Sequence, residues 1–229
     1  MNGVMDIATT IALTLGVGWA SGINLYAAVL MLGFLSNTGQ LVLPPDLMVV
    51  ADPMVMAAAG FMYMVEFFAD KVPGVDTAWD SIHTLIRIPA GAVLAAGAVG
   101  ELGVAAEVAA FLIGGSLAAG SHAAKAGSRM VINTSPEPFS NWTASIAEDI
   151  AVIGGMWAAL NYPILFSVFI AAFVLLLVWL LPKLWRFIVK VLHRLGEFLG
   201  REPDPYPEPT LADLAPKSDK PDSRQLPPS

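Results

Sequence analysis

Residues 7–35 read IATTIALTLGVGWASGINLYAAVLMLGFL, 29 consecutive positions without a charged side chain. About 20 apolar residues of helix cross the ~30 Å hydrocarbon core of a bilayer, so this stretch is long enough to span one. It is too long for the apolar core of a secretory signal, and residues 1–6 contain no Lys or Arg to form a basic leader. The run is interrupted by Gly16, Gly18, Ser21, Gly22 and Asn24. A transmembrane helix distorted around Gly22, or built of two helical halves, is expected.

The rest of the 229-residue chain has the same character. Its hydrophobic fraction is 56%, its charged fraction 14% and its mean hydropathy +0.66. Soluble domains run at about 45–50% apolar and about 25% charged. Such a chain cannot cover itself with a wet surface, which excludes an ordinary soluble enzyme and a disordered protein. A net charge of −7 argues against a nucleic-acid partner. The absence of cysteine removes disulfides, thiolate catalysis and Cys-ligated zinc.

Five more apolar stretches follow, at residues 53–71, 78–100, 102–127, 142–160 and 162–182. They are separated by the Asn37–Asp52 loop with its Pro44-Pro45 pair, by Pro73-Gly74, by the neighbourhood of Glu101, by Pro136 and Pro138, and by Asn161–Pro163. The expected fold is all-α, a polytopic membrane helix bundle of about six transmembrane helices occupying residues 1–182. Gly91, Ala95, Gly97, Gly114, Gly115 and Gly120 are small enough to let such helices approach closely.

Beyond it, Lys183, Arg186, Lys190, His193 and Glu197 recur at helical steps against Trp185, Phe187, Ile188, Val191, Leu192, Leu195 and Phe198. Residues 183–200 therefore read as an amphipathic helix lying in the membrane interface. Residues 201–229 are rich in proline and poor in large apolar side chains, and read as a disordered cytoplasmic tail.

Charge sets the expected orientation. Residues 1–181 hold four basic side chains, Lys71, Arg87, Lys125 and Arg129, against twelve acidic ones. With both termini in the cytoplasm, Lys71, Lys125, Arg129 and the Lys183–Arg194 group all fall inside, and the loop carrying Asp46 and Asp52 falls outside. That is the distribution of the positive-inside rule.

The ionisable residues within the spans form helix-spaced rows. Glu66 and Asp70 lie four apart with Tyr63 on the same face. Asp76, Asp80, His83 and Arg87 follow steps of four, three and four. His122, Lys125 and Arg129 make a third row; Glu148 and Asp149 enter the fifth span beside Asn141 and Ser145. Charges in membrane helices cost several kcal/mol each and need partners, water or a function. In the expected topology these rows share the cytoplasmic half and converge on one polar cavity, with Asn24 contributing from the first span. Single pairs such as Asp80–Arg87 or Glu148–Lys125 also make sense as structural ion pairs. His83 and His122, with Asp76, Asp80, Glu148 or Asp149, admit a divalent cation as cofactor.

Four strings carry a resemblance. SGINLYA (residues 21–27), EFFADKVPGVDTAWDSIHTLIRIPAGA (66–92), GSHAAKAGSR (120–129) and NTSPEPFSNW followed by AED (133–142, 147–149) resemble the bacterial membrane proteins grouped as domain of unknown function 4126. The resemblance covers about residues 10–160. It implies a multi-pass protein of the bacterial plasma (inner) membrane and no settled activity.

Residues 21–28 also align loosely with 119–126, and each is followed one span later by an acidic pair, Glu66/Asp70 and Glu148/Asp149. Three spans per unit would make this an inverted repeat of the transporter kind. Motifs for phosphate loops, dinucleotides, serine nucleophiles and zinc proteases are missing. The expected function is a carrier of a small polar or cationic solute. The alternatives are a metal-dependent intramembrane enzyme acting on a lipid or lipid phosphate, and a membrane scaffold. The partners expected are the lipid bilayer and a small solute or ion, with a homo-oligomer left open.

Overall fold

The structure, a computed structural model, describes residues 7–72, 74–134 and 138–198. It contains six α-helices: α1 (Ile7–Asn37), α2 (Pro53–Ala69), α3 (Val75–Ala98), α4 (Val104–Ile132), α5 (Pro138–Asn161) and α6 (Pro163–Phe198). Short 3-10 helices at Pro45–Ala51 and Gly100–Leu102 precede α2 and α4, and no strand occurs among the described residues. Five helices, α1 and α3–α6, contain segments long and apolar enough to cross a membrane. At 17 residues, α2 is about 25 Å long. It makes a sixth span only together with Pro45–Ala51, from which it is bent by 61°. The protein is a polytopic membrane helix bundle.

The bundle is built around α1, whose apolar residues lie on all sides and are mostly buried. It packs closely against α3, α4 and α5, and α3 packs against α4. Glycine permits this. A Cβ on Gly18 would sit 2.8 Å from the Gly114 Cα, and one on Gly22 would collide with Ser121 and the Ala118 carbonyl. Where the helices touch, the Ser121 hydroxyl donates to the Trp19 carbonyl at 2.8 Å. The outward surface is apolar: Ile82, Leu85, Val93, Leu112, Ile150, Leu165, Leu175 and Val178 are exposed. The charges Glu66, Asp70, Asp80, Arg87, Lys125 and Arg129 are buried inside the helical bundle while these large apolar side chains face out, the arrangement lipid demands.

At one end, Asp52 caps α2 by accepting from the Met54 amide, and Leu47 of the 3-10 helix is buried against Gly97. The expected Asn37–Asp52 loop is thus partly ordered as helix. At the opposite end, the α2 C-terminus, the α3 N-terminus, the α4 C-terminus and the α5 N-terminus gather.

The distortion of α1 expected around Gly22 is present, at Asn24 (φ −147°, ψ 95°), where two helical halves meet. Gly22 has another task, the close contact with α4. The inverted repeat is not matched by the packing. The backbones of α1 and α5 pack closely, whereas those of α4 and α2 do not, and α3 against α4 has no equivalent in α6 against α1.

Helix α6 is assigned continuously through Pro182 to Phe198. The bundle unit ends at Leu184 and a second unit begins at Trp185. In that second unit, Trp185, Arg186, Lys190 and Arg194 are exposed on helix. The tail from 201 lies outside the described residues.

Candidate functional site: a buried ion-pair network

Four helices each contribute one row of charges to a single network. From α2 and the residue that ends it come Glu66 and Asp70, from α3 Asp80 and Arg87, from α4 His122, Lys125 and Arg129, and from α5 Glu148. Except for Glu148, all are at most 4% exposed. Glu66 is the hub: its Oε1 lies 2.7 Å from Arg87 Nη2 and 3.2 Å from Lys125 Nζ. Arg87 Nη1 donates to Asp80 Oδ1 at 2.9 Å. The Lys125 ammonium donates to Asp70 Oδ2 at 2.8 Å and lies 3.5 Å from Glu148 Oε2 and 3.7 Å from Asp80 Oδ1. Arg129 grips Glu148 with two donors, Nη2 to Oε2 at 2.7 Å and Nε to Oε1 at 3.2 Å. Its Nη1 donates to the carbonyls of Asp70 and Asn141 at 3.0 and 3.1 Å, which ties α2, α4 and α5 together.

The network is unbalanced. Four carboxylates face three permanent cations, leaving one negative charge when all are ionised. Glu66 Oε2, Asp70 Oδ1 and Asp80 Oδ2 are buried without a hydrogen-bond partner, and so are Nε and Nη2 of Arg87, the latter 2.7 Å from Glu66 Oε1.

The Asn24 distortion belongs to the same machinery. Asn24 Oδ1 accepts the Ala27 amide at 3.0 Å, a donor that in a regular helix would go to the Ile23 carbonyl. That carbonyl is free to accept from Lys125 Nζ, at 3.2 Å. Asn24 Nδ2 donates to Asp149 Oδ1 at 3.0 Å, and Tyr63 donates to Asp149 Oδ2 at 3.2 Å. Asp149 therefore stands beside the network, bound to two neutral donors.

Two of the expected residues stand apart. Asp76 organises the start of α3, accepting from the amides of Gly74 and Thr77 and from Asn133 Nδ2. His83 contacts the Trp79 carbonyl and Tyr26 hydroxyl through its two ring nitrogens and stacks on Trp79. The row Asp76, Asp80, His83 is thus divided among three sets of partners. Among the described residues no group of three His, Asp or Glu side chains is arranged to hold a metal ion. His122 does join the network, within 3.3 Å of Arg87 Nη1 through Nδ1 and 2.7 Å of the Thr84 hydroxyl through Nε2. Thr84 and Asn133 escaped the sequence reading. Each lies four residues from a row member, Thr84 from Asp80 and Asn133 from Arg129, so admitting neutral polar residues at helical steps from the charged ones finds them.

A cavity of about 340 Å³ touches the network from the side. It is walled by Trp19, Ile23, Ala151, Phe169 and Phe173, and reaches Lys125 and Glu148 between α4 and α5, with α6 alongside.

Residues 11–183 match the protein family described as Domain of unknown function (DUF4126). No curated protein and no solved structure matches the chain.

Proposed function

The chain belongs to the DUF4126 family, and from its own site we propose that it is a carrier of a small polar or cationic solute. One observation carries the reading: a network buried within a membrane bundle sets four carboxylates, Glu66, Asp70, Asp80 and Glu148, against three permanent cations, Arg87, Lys125 and Arg129. Ionisable groups at such depth mark ion and solute pathways. An excess of acid favours a cation, a proton-coupled solute or a zwitterion over a bare anion. The bent α1 supports the same reading, since carriers use interrupted helices whose freed backbone groups line the site. We place the protein in the bacterial inner membrane with both termini in the cytoplasm, because Lys71, Lys125 and Arg129 share one end of the bundle.

The test is purified protein in liposomes enclosing a pH indicator, driven by imposed sodium or potassium gradients. Flux of protons or of the imposed cation is expected. Asp80→Asn and Glu148→Gln should each abolish it while the detergent-solubilised protein keeps its wild-type elution. Flux indifferent to both substitutions overturns the reading. The lateral cavity favours one other reading, an enzyme that draws an amphiphile sideways toward Lys125 and Glu148. Lipid hydrolysis without flux is the result that would establish it.

A further inference from the structure

Among the described residues, Asp149 is the carboxylate that accepts a hydrogen bond from Asn24 at the bend of α1. It is half-buried and, among the described residues, has no cationic side chain within ion-pairing distance. Its partners are both neutral: Asn24 Nδ2 on Oδ1 and the Tyr63 hydroxyl on Oδ2. From α2, Tyr63 faces it, and from the turn that follows, Asp70 and Lys71; α4 adds Lys125 and, among the described residues, α1 adds Asn24. Lys71 is occupied elsewhere, donating to the Phe67 carbonyl at 2.9 Å and lying over the Phe67 ring.

We propose that Asp149 is a proton-binding site and that its occupancy sets the bend of α1. The inference rests on the carrier reading for its purpose, but not for its chemistry. A proton from water forms an O–H bond at Oδ2, and the side chain passes from one negative charge to none. The new hydroxyl can donate to the Tyr63 oxygen, so that bond reverses rather than breaks. On the other oxygen the change is a loss. A bond to a charged acceptor is about twice as strong as a neutral one, so protonation weakens the hold on Asn24 Nδ2.

Among the described residues the Asn24 side chain makes two hydrogen bonds, Nδ2 to Asp149 and Oδ1 to the Ala27 amide. When the first weakens, the Ile23 carbonyl can reclaim the Ala27 amide and α1 straightens. Lys125 then loses its Ile23 acceptor, now at 3.2 Å. The proton on Asp149 is thus read by Lys125, which touches Glu66, Asp70, Asp80 and Glu148. Within the carrier this couples a proton to the network through one side chain and one peptide bond.

Two measurements on the full chain test the proposal, neither of which needs a solute. The first is infrared difference spectroscopy in lipid between alkaline and acid pH. A protonated-carboxyl band is expected to rise on acidification and to be missing in Asp149→Asn. The second uses the absence of native cysteine. Spin labels on Ile11→Cys and Phe34→Cys, exposed positions on either side of the bend, report its angle as a distance. That distance should shift with pH in the otherwise native chain and stay at its acid value in Asp149→Asn. In Asn24→Ala the carboxyl band should persist while the distance ceases to follow pH. A titration without an Asp149 band, a distance unmoved by pH, or a shift that survives Asp149→Asn overturns the proposal. Absent liposome flux with these results intact would remove the carrier reading and leave the proton site standing.

Discussion

Gly22 and Asn24, two positions apart, have opposite jobs. Gly22 is small because α4 presses on it: an added Cβ would meet the Ala118 carbonyl and the Ser121 side chain. Asn24 is polar because it bends the helix, supplying a side-chain acceptor in place of a main-chain one. Overpacking against backbone costs about 1–3 kcal/mol, so Gly22→Ala should lower the thermal stability of the purified protein clearly. Gly154→Ala is the matching control, since a Cβ there meets nothing within 4 Å. Alanine is the better helix former by about 1 kcal/mol, so that variant should be neutral or slightly more stable. Equal losses from both substitutions would mean that the α1–α4 contact is not the tight one.

Among the elements, α6 is held differently from the rest. Helices α1, α3 and α4 interlock through glycine and alanine, backbone against backbone. Among the described residues, α6 meets glycines of its neighbours through side chains, Leu177 against Gly120 and Phe166 against Gly16. It is tied by Trp19, whose ring meets Phe166, Phe169 and Phe173 edge-on at centroid distances of 6.1, 5.6 and 6.2 Å. Cavities of about 470 and 530 Å³ flank it, one against α4 and one against α5. Lipid tails are as apolar as the helix, so hydrophobicity does not drive it onto the bundle; packing must. Trp19→Ala should therefore loosen α6 selectively. Amide exchange across Pro163–Leu180 is expected to rise several-fold, with α3 and the Lys125 region of α4 unchanged. A uniform rise across the bundle would show that Trp19 supports the whole core.

For the molecule as a whole, Asp70, Asp76, Arg129, Asn133 and Asn141 gather at one end, Arg129 donating to the carbonyls of Asp70 and Asn141. Asn133 Nδ2 donates to Asp76, and Asn141 Nδ2 donates to Asn133 Oδ1 at 2.8 Å. The opposite end holds Asn37, Asp46 and Asp52, with no basic residue in the Asn37–Asp52 segment. The positive-inside rule then predicts that a single cysteine at Asn37 reacts with an impermeant reagent applied outside intact cells. One at Thr134 should react only after the membrane is opened. The reverse pattern would invert the protein and put the charged network in the outer half.

Composition and apolar run length alone determined that this is an α-helical membrane protein, and helical spacing alone put its charges into rows. Both follow from local physics. A bilayer demands about 20 apolar residues per crossing, and a helix returns to the same face every three or four positions. The expected Asp80–Arg87 and Glu148–Lys125 pairs are both present. What only the tertiary structure decided is which rows meet and how each charge is paired. Asp76 and His83 share a helical row with Asp80 and Arg87, yet they turn to Asn133 and Tyr26, because partners are chosen by neighbouring helices. The bend of α1 was legible as a distortion around Gly22, but the hydrogen bond from Asn24 to Asp149, 125 residues away, was not. Contacts of that range depend on how helices pack, and packing is not written in the period of any one of them.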